Sequence, residues 1–427
     1  MSGFMTQGAT KFISQVQALC GPEHREWGEI FAATYADTLQ NALVADGAER
    51  IFVLTGDIPA MWQRDSTAQM RPYLVPAQTD PELADVIEKV INRQMFNMAL
   101  DPYANAFNQA ANGAGWQTDD TEMGPWIWER KYELDSLCYP AQLAYLFWKN
   151  TGRTSHFNAQ FEKAIAAMVK VIRQEQDHAH SPYHFHRGEE RPEDTLIEGV
   201  GRPVVQTGLS WNGFRPSDDA CVYGYLIPSN LFAVEVLRHL AEIYETVLHK
   251  PAEAHEFVAL ADEIATAVRQ YGMTKNAAGE AIYAYEVDGG SNQLLMDDAN
   301  VPNLLSLPYL GAVAADDPTY QATRRTILSP ENPYYYAGSF GAGLGSPHTP
   351  AHCIWPIALA VQGLTQSDRT EKARLLDLLA NTTAGTQRMH ESFNVEDPSQ
   401  FTREWFSWAN MMFCELVMDY FDLRVIQ

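Results

Sequence analysis

Apolar residues recur along this chain in two registers. In the first, one helical face is apolar and the other polar. Phe31, Tyr35, Leu39 and Leu43 fall at four-residue steps. Leu83, Val86, Ile87, Val90 and Ile91 share a face opposite Asp85, Glu88, Lys89 and Arg93. Phe161, Ile165, Met168 and Ile172 repeat the pattern, as do Phe257, Leu260, Ile264 and Val268, and Leu375, Leu378 and Leu379 give a shorter version. This is the period of a helix with one wet side. In the second register the segments are apolar nearly all round: 137–148, 226–237, 353–361 and 405–421. A helix apolar on every face is buried on every face. Pro140, Pro228 and Pro356 stand near the starts of three of them, where proline is tolerated.

Amphipathic helices alternating with buried ones describe a ring of helical hairpins, the wet helices outside and the dry ones inside. The expected class is an all-α toroid. Residues 51–54 and 281–285 read as short strands, but no regular series of strands follows. No Pro/Gly/Ser-rich linker divides the chain, so residues 1–427 are expected to form one domain.

Clusters mixing aromatic, acidic and basic residues tend to precede the buried segments. They lie near 57–65, 116–135, 211–219, 297–300, 348–355 and 390–405. Six clusters over 427 residues leave about 70 residues each, room for two helices and their loops. Loops at one end of a ring of inner helices converge on one central pit. Eight of the ten tryptophans lie in or beside these clusters: Trp62, Trp116, Trp126, Trp128, Trp211, Trp355, Trp405 and Trp408. Indole faces cover the apolar faces of sugar rings, and carboxylate and Arg forks bond hydroxyl pairs. The chemistry therefore points to a polyhydroxylated ligand.

Candidate ligand-holding residues are Asp57, Trp62, Arg64 and Asp65 in the first cluster and Glu129, Lys131 and Asp135 in the second, with Trp355, Glu404 and Trp405 in the later ones. Asp119 and Asp120 read instead as caps or a solvated acidic loop. In the third cluster an Asp beside aromatics can have its pKa raised by desolvation and by an acidic neighbour, as a proton donor requires. Ser217 or Asp218 is equally an ordinary N-cap there. Glu391 or Glu404 can supply a second carboxyl, and two carboxyls across a scissile bond are the minimum for glycoside hydrolysis.

A net charge of −24 disfavours nucleic acid and anionic membrane as partners. No run of 18 apolar residues occurs, so no membrane span is expected. Five widely spaced cysteines without a CxxC read as reduced thiols, and the first 19 residues lack a signal-peptide core; both lead to an expected cytoplasmic location. His178, His180, His184 and His186 match no zinc template and read as a substrate-shaping loop in the irregular stretch 176–205. The glycine-rich run 341–346 does not follow a clear strand, so a dinucleotide site is not expected.

With these residues in view the chain resembles glycoside hydrolase family 125. The matching stretches are TGDIPAMWQRDSTAQMRPYL at 55–74, GLSWNGFRPSDDA at 208–220, MDDANVPNLL at 296–305, MHESFN at 389–394 and REWFSWAN at 403–410. The resemblance implies an (α/α)6 barrel and an exo-acting, inverting α-1,6-mannosidase that needs no metal or cofactor and acts on mannose-containing oligosaccharides. It implies a general acid at Asp218, with Asp219 adjacent, and a general base at Glu391. It further implies that Arg64, Asp65, Asp298, Asn300 and His352 hold the terminal mannose. Two other readings remain. A sugar epimerase on the same barrel would use histidines such as His352 and His390, and a non-catalytic sugar-binding protein needs only the clusters.

Overall fold

The computed structural model describes residues 3–116, 118–188 and 191–427; Gln117, Glu189 and Glu190, inside the second cluster and the histidine-bearing stretch, lie outside them. In chain order the helices are α1 (Gln7–Cys20), α2 (Arg25–Asp37), α3 (Gln63–Met70), α4 (Leu74–Ala77), α5 (Pro81–Leu100), α6 (Leu134–Thr151), α7 (Ala159–Glu175), α8 (Ile227–Thr246), α9 (Pro251–Tyr271), α10 (Pro318–Ile327), α11 (Pro356–Leu364), α12 (Arg369–Asn381) and α13 (Ser407–Tyr420).

The two registers separate as inner and outer helices. Inner α6, α8, α11 and α13 are buried along nearly their whole length. Outer α5, α7, α9 and α12 bury one face each. α3 packs on α6 and α13, α6 on α8, and α11 on α13. The ring is the (α/α)6 barrel, with one core running through it.

Two inner positions depart from the hydrophobic pattern. α3 carries the polar sequence QRDSTAQM, yet all eight residues are buried. Most of its polar groups are met inside the protein, Arg64 Nε and Gln69 Oε1 being exceptions. Gln63 Nε2 donates to the Gln94 carbonyl at 3.1 Å, and Gln94 Nε2 donates to Ser66 and Thr67 hydroxyls at 2.8 and 2.9 Å. Burial of polar groups is tolerated when they are paired. The inner position before α10 is taken by residues 297–310, almost wholly buried but without a regular helix. This segment is tied inward by Tyr139 to the Val301 carbonyl (3.0 Å) and by Tyr309 to Glu415 (2.8 Å).

Strands are more frequent than the pattern suggested, but each is only two to four residues long. Three small three-stranded sheets brace the loops that lead into inner helices: Met61–Trp62 with Ala106–Phe107 and Ile127–Glu129, Tyr225–Leu226 with Glu286–Val287 and Gln293–Leu294, and Cys353–Ile354 with Ser392–Asn394 and Phe401–Thr402. In each sheet one strand runs directly into an inner helix, so pairing fixes where that helix begins. No helix among the described residues is long and apolar enough to cross a membrane.

Candidate active site

The loops at this end enclose a cavity of about 180 Å³, lined by Thr55, Ile58, Trp62, Arg64, Asp65, Pro216, Ser217, Asp218, Asn300, His348, Trp355, Glu391, Arg403, Phe406 and Trp408. All six sequence clusters but the second contribute a wall. Its volume lies below the roughly 300–1,000 Å³ of a drug-sized site, as a pocket for a single ring would. Three buried donors on lining residues make no hydrogen bond within the protein: Trp62 Nε1, Arg64 Nε and Trp408 Nε1. Such donors suit a ligand rich in oxygen acceptors.

Asp218 is held by a tight turn. Its own φ is +65°, a left-handed conformation that Asp tolerates better than most residues. Its N–H donates to the Arg215 carbonyl at 2.9 Å, and Arg215 N–H donates to the Asp219 carbonyl at 2.7 Å. Arg215 is anchored in turn by Glu286 at 2.6 Å, and Glu286 also accepts from the Val222 and Tyr223 N–H groups. Asp218 Oδ1 accepts from Arg64 Nη2 at 3.3 Å and Asn105 Nδ2 at 3.2 Å. Burial pushes the Asp218 carboxyl up, but Arg64, Lys131 and contact with Glu133 outweigh it and hold it down at about 2.

Asp219 turns the other way. Its Oδ1 lies 2.9 Å from His348 Nδ1. Burial would lower the His348 pKa, but the bond and charge of Asp219 raise it to about 9, so His348 is an imidazolium at neutral pH. Glu391 stands just before the Ser392–Asn394 strand, its N–H donating to the Thr402 carbonyl at 3.2 Å. Arg403 Nη1 lies 3.5 Å from Glu391 Oε1, and Arg403 is fixed by a fork onto Asp57 Oδ1 at 2.5 and 3.0 Å. Asp65 is buried, which pushes it up to about 6 against the pull of Arg64.

Residues 24–418 match the family described as metal-independent alpha-mannosidase (GH125). The chain belongs to glycoside hydrolase family 125. It is 38% identical over 426 residues to the meiotically up-regulated gene 157 protein of Schizosaccharomyces pombe, covering 94% of this chain and 84% of that protein. A solved Streptococcus pneumoniae metal-independent alpha-mannosidase, in a non-productive complex with alpha-1,6-mannobiose, is 51% identical with a TM-score of 0.96, covering 98% of this chain and 99% of that one. A bacterial glucoamylase complexed with acarbose shares the fold alone, at 11% identity and a TM-score of 0.63, covering 97% of this chain and 58% of that one.

Of the residues singled out in the sequence of this alpha-mannosidase, Trp62, Arg64, Asp65, Asp218, Asn300, Trp355 and Glu391 line the cavity. Others stand one layer back. Asp135 accepts from Arg64 Nη1 at 3.0 Å. Lys131 Nζ donates to the Asp218 carbonyl at 2.6 Å and to Asp194. Glu129 accepts from Asn105 Nδ2 at 3.0 Å and from Arg187 at 2.8 Å. Asp298 accepts from Ser217 Oγ at 3.0 Å and from Asn300 Nδ2 at 3.2 Å. Asp57 is 41% exposed and reaches the cavity only through Arg403.

Three further candidates of this mannosidase, His352, Glu404 and Trp405, fall outside both the lining and the layer behind it. His352 is exposed, because a left-handed turn at its φ of +65° points the chain away before the Cys353–Ile354 strand; its ring lies 5.3 Å from that of Tyr336. Glu404 is 62% exposed and lies 3.7 Å from Arg388. Trp405 is half-buried against Arg388. His390 stacks on Phe401 at 3.7 Å and bonds backbone carbonyls of Thr383 and Glu404. The histidines named for an epimerase therefore do not border the cavity.

The sequence assigns no ligand role to His348, Arg403 or Ser217, and names Trp408 only within the group of cluster tryptophans. All four sit within or beside the clusters, so the signal was present but not assigned to individual residues. The histidine-bearing stretch is a strap. His178 stacks on Trp211 at 3.6 Å and bonds Glu175 and the Val200 carbonyl, and Arg187 ties Asp119 to Glu129. Among the described residues no cluster of three or more His, Cys, Asp or Glu is arranged to hold a metal ion.

Proposed function

We propose that this alpha-mannosidase removes terminal non-reducing α-1,6-linked mannose with inversion, Asp218 acting as general acid and Glu391 as general base. The observation that carries the reading is that two carboxyls from distant parts of the chain border one small, aromatic-walled cavity. A cavity of single-ring size suits exo action. The α-1,6-mannobiose held by the 51% identical Streptococcus pneumoniae relative supports the linkage.

In this scheme Trp62, Trp355 and Trp408 cover the apolar faces of the terminal mannose, while Arg64, Asp65, Asn300 and His348 bond its hydroxyls. Asp218 gives its proton to the glycosidic oxygen as the C1–O bond breaks. Glu391 takes a proton from the water that attacks C1 from the opposite face. Arg403 holds the Glu391 carboxylate in place. Room for that water requires the two carboxyls to stand about 6.5–9.5 Å apart. Asp218 is favoured over Asp219 as the acid because Asp219 is committed to His348.

Proton NMR of early product tests the reading. Initial release of β-mannose from α-1,6-mannobiose is expected, and initial α-mannose overturns inversion. A cytoplasmic location is proposed on the five free cysteines, four of them buried. Fractionation that recovers the protein outside the cytoplasm overturns it.

A further inference from the structure

A general acid must carry a proton, yet Asp218 is held in its ionised form by its neighbours. The arrangement behind it supplies the answer. One guanidinium serves four carboxyls. Arg64 Nη1 donates to Glu133 Oε2 at 2.6 Å and Asp135 Oδ2 at 3.0 Å, Nη2 to Asp218 Oδ1 at 3.3 Å, and Nε lies 3.7 Å from Asp65 Oδ2. The Arg64 side chain is 2% exposed and those of Glu133 and Asp135 are fully buried. Four ionised carboxyls would share this one guanidinium. The next cations, Lys131 and Arg403, are also committed to Asp194 and Asp57. An excess of negative charge would remain, which a low-dielectric interior penalises. The cluster therefore holds at least one proton.

The hydrogen bonds indicate where. Asp135 stands in the first turn of α6, where the helix N-terminus favours the anion. Asp218 accepts from Arg64 and Asn105, as an anion would. Glu133 differs. Its Oε2 accepts from both Arg64 and Ser136 Oγ (2.7 Å), but its Oε1 is buried with no donor in reach. A carboxylate oxygen buried without a donor is costly, whereas a protonated one needs only an acceptor. Glu133 and Asp218 accept from the two terminal nitrogens of one guanidinium, Arg64 Nη1 and Nη2, which sets the two carboxyls side by side. Burial and the Asp218 charge, outweighing Arg64, also push the Glu133 carboxyl well above the usual range.

We propose that Glu133 is a positioning residue that stores the proton Asp218 delivers; this rests on Asp218 being the general acid. In the free enzyme the Glu133 O–H donates to the Asp218 carboxylate. A mannoside filling the cavity strips water from Asp218 and makes its charge less favourable. The proton then passes from Glu133 to Asp218, and the Glu133 anion remains on Arg64 and Ser136. Asp218 gives the proton to the departing glycosidic oxygen. Glu391 releases to solvent the proton it took from water, and one proton returns from solvent to the Glu133–Asp218 pair.

Glu133→Gln tests this, because Gln keeps the size and a donor to Asp218 but has no proton to transfer. On α-1,6-mannobiose its kcat is expected to fall about 100-fold or more, the contribution of general acid catalysis. The basic limb of its pH profile is expected to move to lower pH. A dinitrophenyl α-mannoside, whose leaving group needs no proton, should retain near-normal kcat. Glu133→Asp, which still carries a proton, should restore the basic limb in part. A wild-type pH profile in Glu133→Gln, or equal loss on both substrates with no recovery in Glu133→Asp, overturns the proposal. Should Glu133→Gln fail to fold, the Glu133→Asp profile decides: a basic limb displaced from wild type supports the proposal, and an unmoved one overturns it. Asp218→Asn separates this from the reading beneath it. If that variant keeps full activity on mannobiose, the acid assignment itself falls. If it loses mannobiose but not aryl activity while Glu133→Gln is unaffected, only the proton store falls.

Discussion

Asp218 and Asp219 are adjacent in sequence but their carboxyls serve different partners. Asp218 Oδ1 lies 3.3 Å from Arg64 Nη2 at the cavity wall, whereas Asp219 Oδ1 lies 2.9 Å from His348 Nδ1 behind it. The two substitutions should therefore differ in kind. Asp218→Asn is expected to lower kcat on α-1,6-mannobiose by about 10²- to 10⁴-fold while sparing aryl mannosides with good leaving groups. Asp219→Asn should affect both substrates alike, since it disturbs binding by His348 and not proton delivery. Steady-state kinetics on the two substrate classes checks this.

The same pair predicts a pH dependence of stability. The folded pKa of His348, about 9, lies above its value in an unfolded chain. Its contribution is fully present below about pH 6.5. It is lost as pH rises through about 9. The melting temperature of the wild type should fall across that interval by more than that of Asp219→Asn. Parallel thermal melts between pH 6 and 10 make the comparison, and equal slopes would sink the prediction.

Arg64 lines the cavity and also holds buried carboxylates together. Its removal as Arg64→Ala leaves Glu133 and Asp135 buried without their cation. Breaking a buried ion pair from one side costs about 3–5 kcal/mol. Denaturant unfolding should show a loss of that order together with loss of activity. Arg64→Lys restores the charge but not the fork, and is expected to recover stability only in part.

Trp116 stands apart from the other cluster tryptophans. It is 65% exposed and meets Trp128 edge-on at 5.4 Å, and Trp128 shares a small apolar cluster with cavity-lining Trp62. The three indoles run outward from the cavity. Trp116→Ala is expected to raise KM for mannosides longer than a disaccharide by about two- to tenfold, the worth of one aromatic contact. The disaccharide itself should be little affected. A KM series over chain length reads this out, and a uniform rise for all lengths would count against it.

Much of this enzyme was legible in its sequence. The segments apolar on every face became α6, α8, α11 and α13, because a helix with no polar side has nowhere to lie but inside. Five of the six clusters converged on one cavity, because loops at one end of a ring share its centre. α3 was not legible as an inner helix, since the burial of QRDSTAQM depends on partners such as Gln94 and Glu133 that lie 27 to 69 residues away. The inner segment 297–310 had no helical pattern to read.

What only the tertiary structure decided is which member of each polar neighbourhood lines the cavity: Asp218 and not Asp219, His348 and not His352, Arg403 and not Glu404. Each choice lies at or beside a left-handed residue, with φ of +65° at Asp218, +65° at His352 and +42° at Arg403. Composition determines that such residues gather near the cavity. The direction of each side chain is set by a backbone turn that costs local energy and persists because long-range strand pairing and the Arg215–Glu286 anchor enforce it.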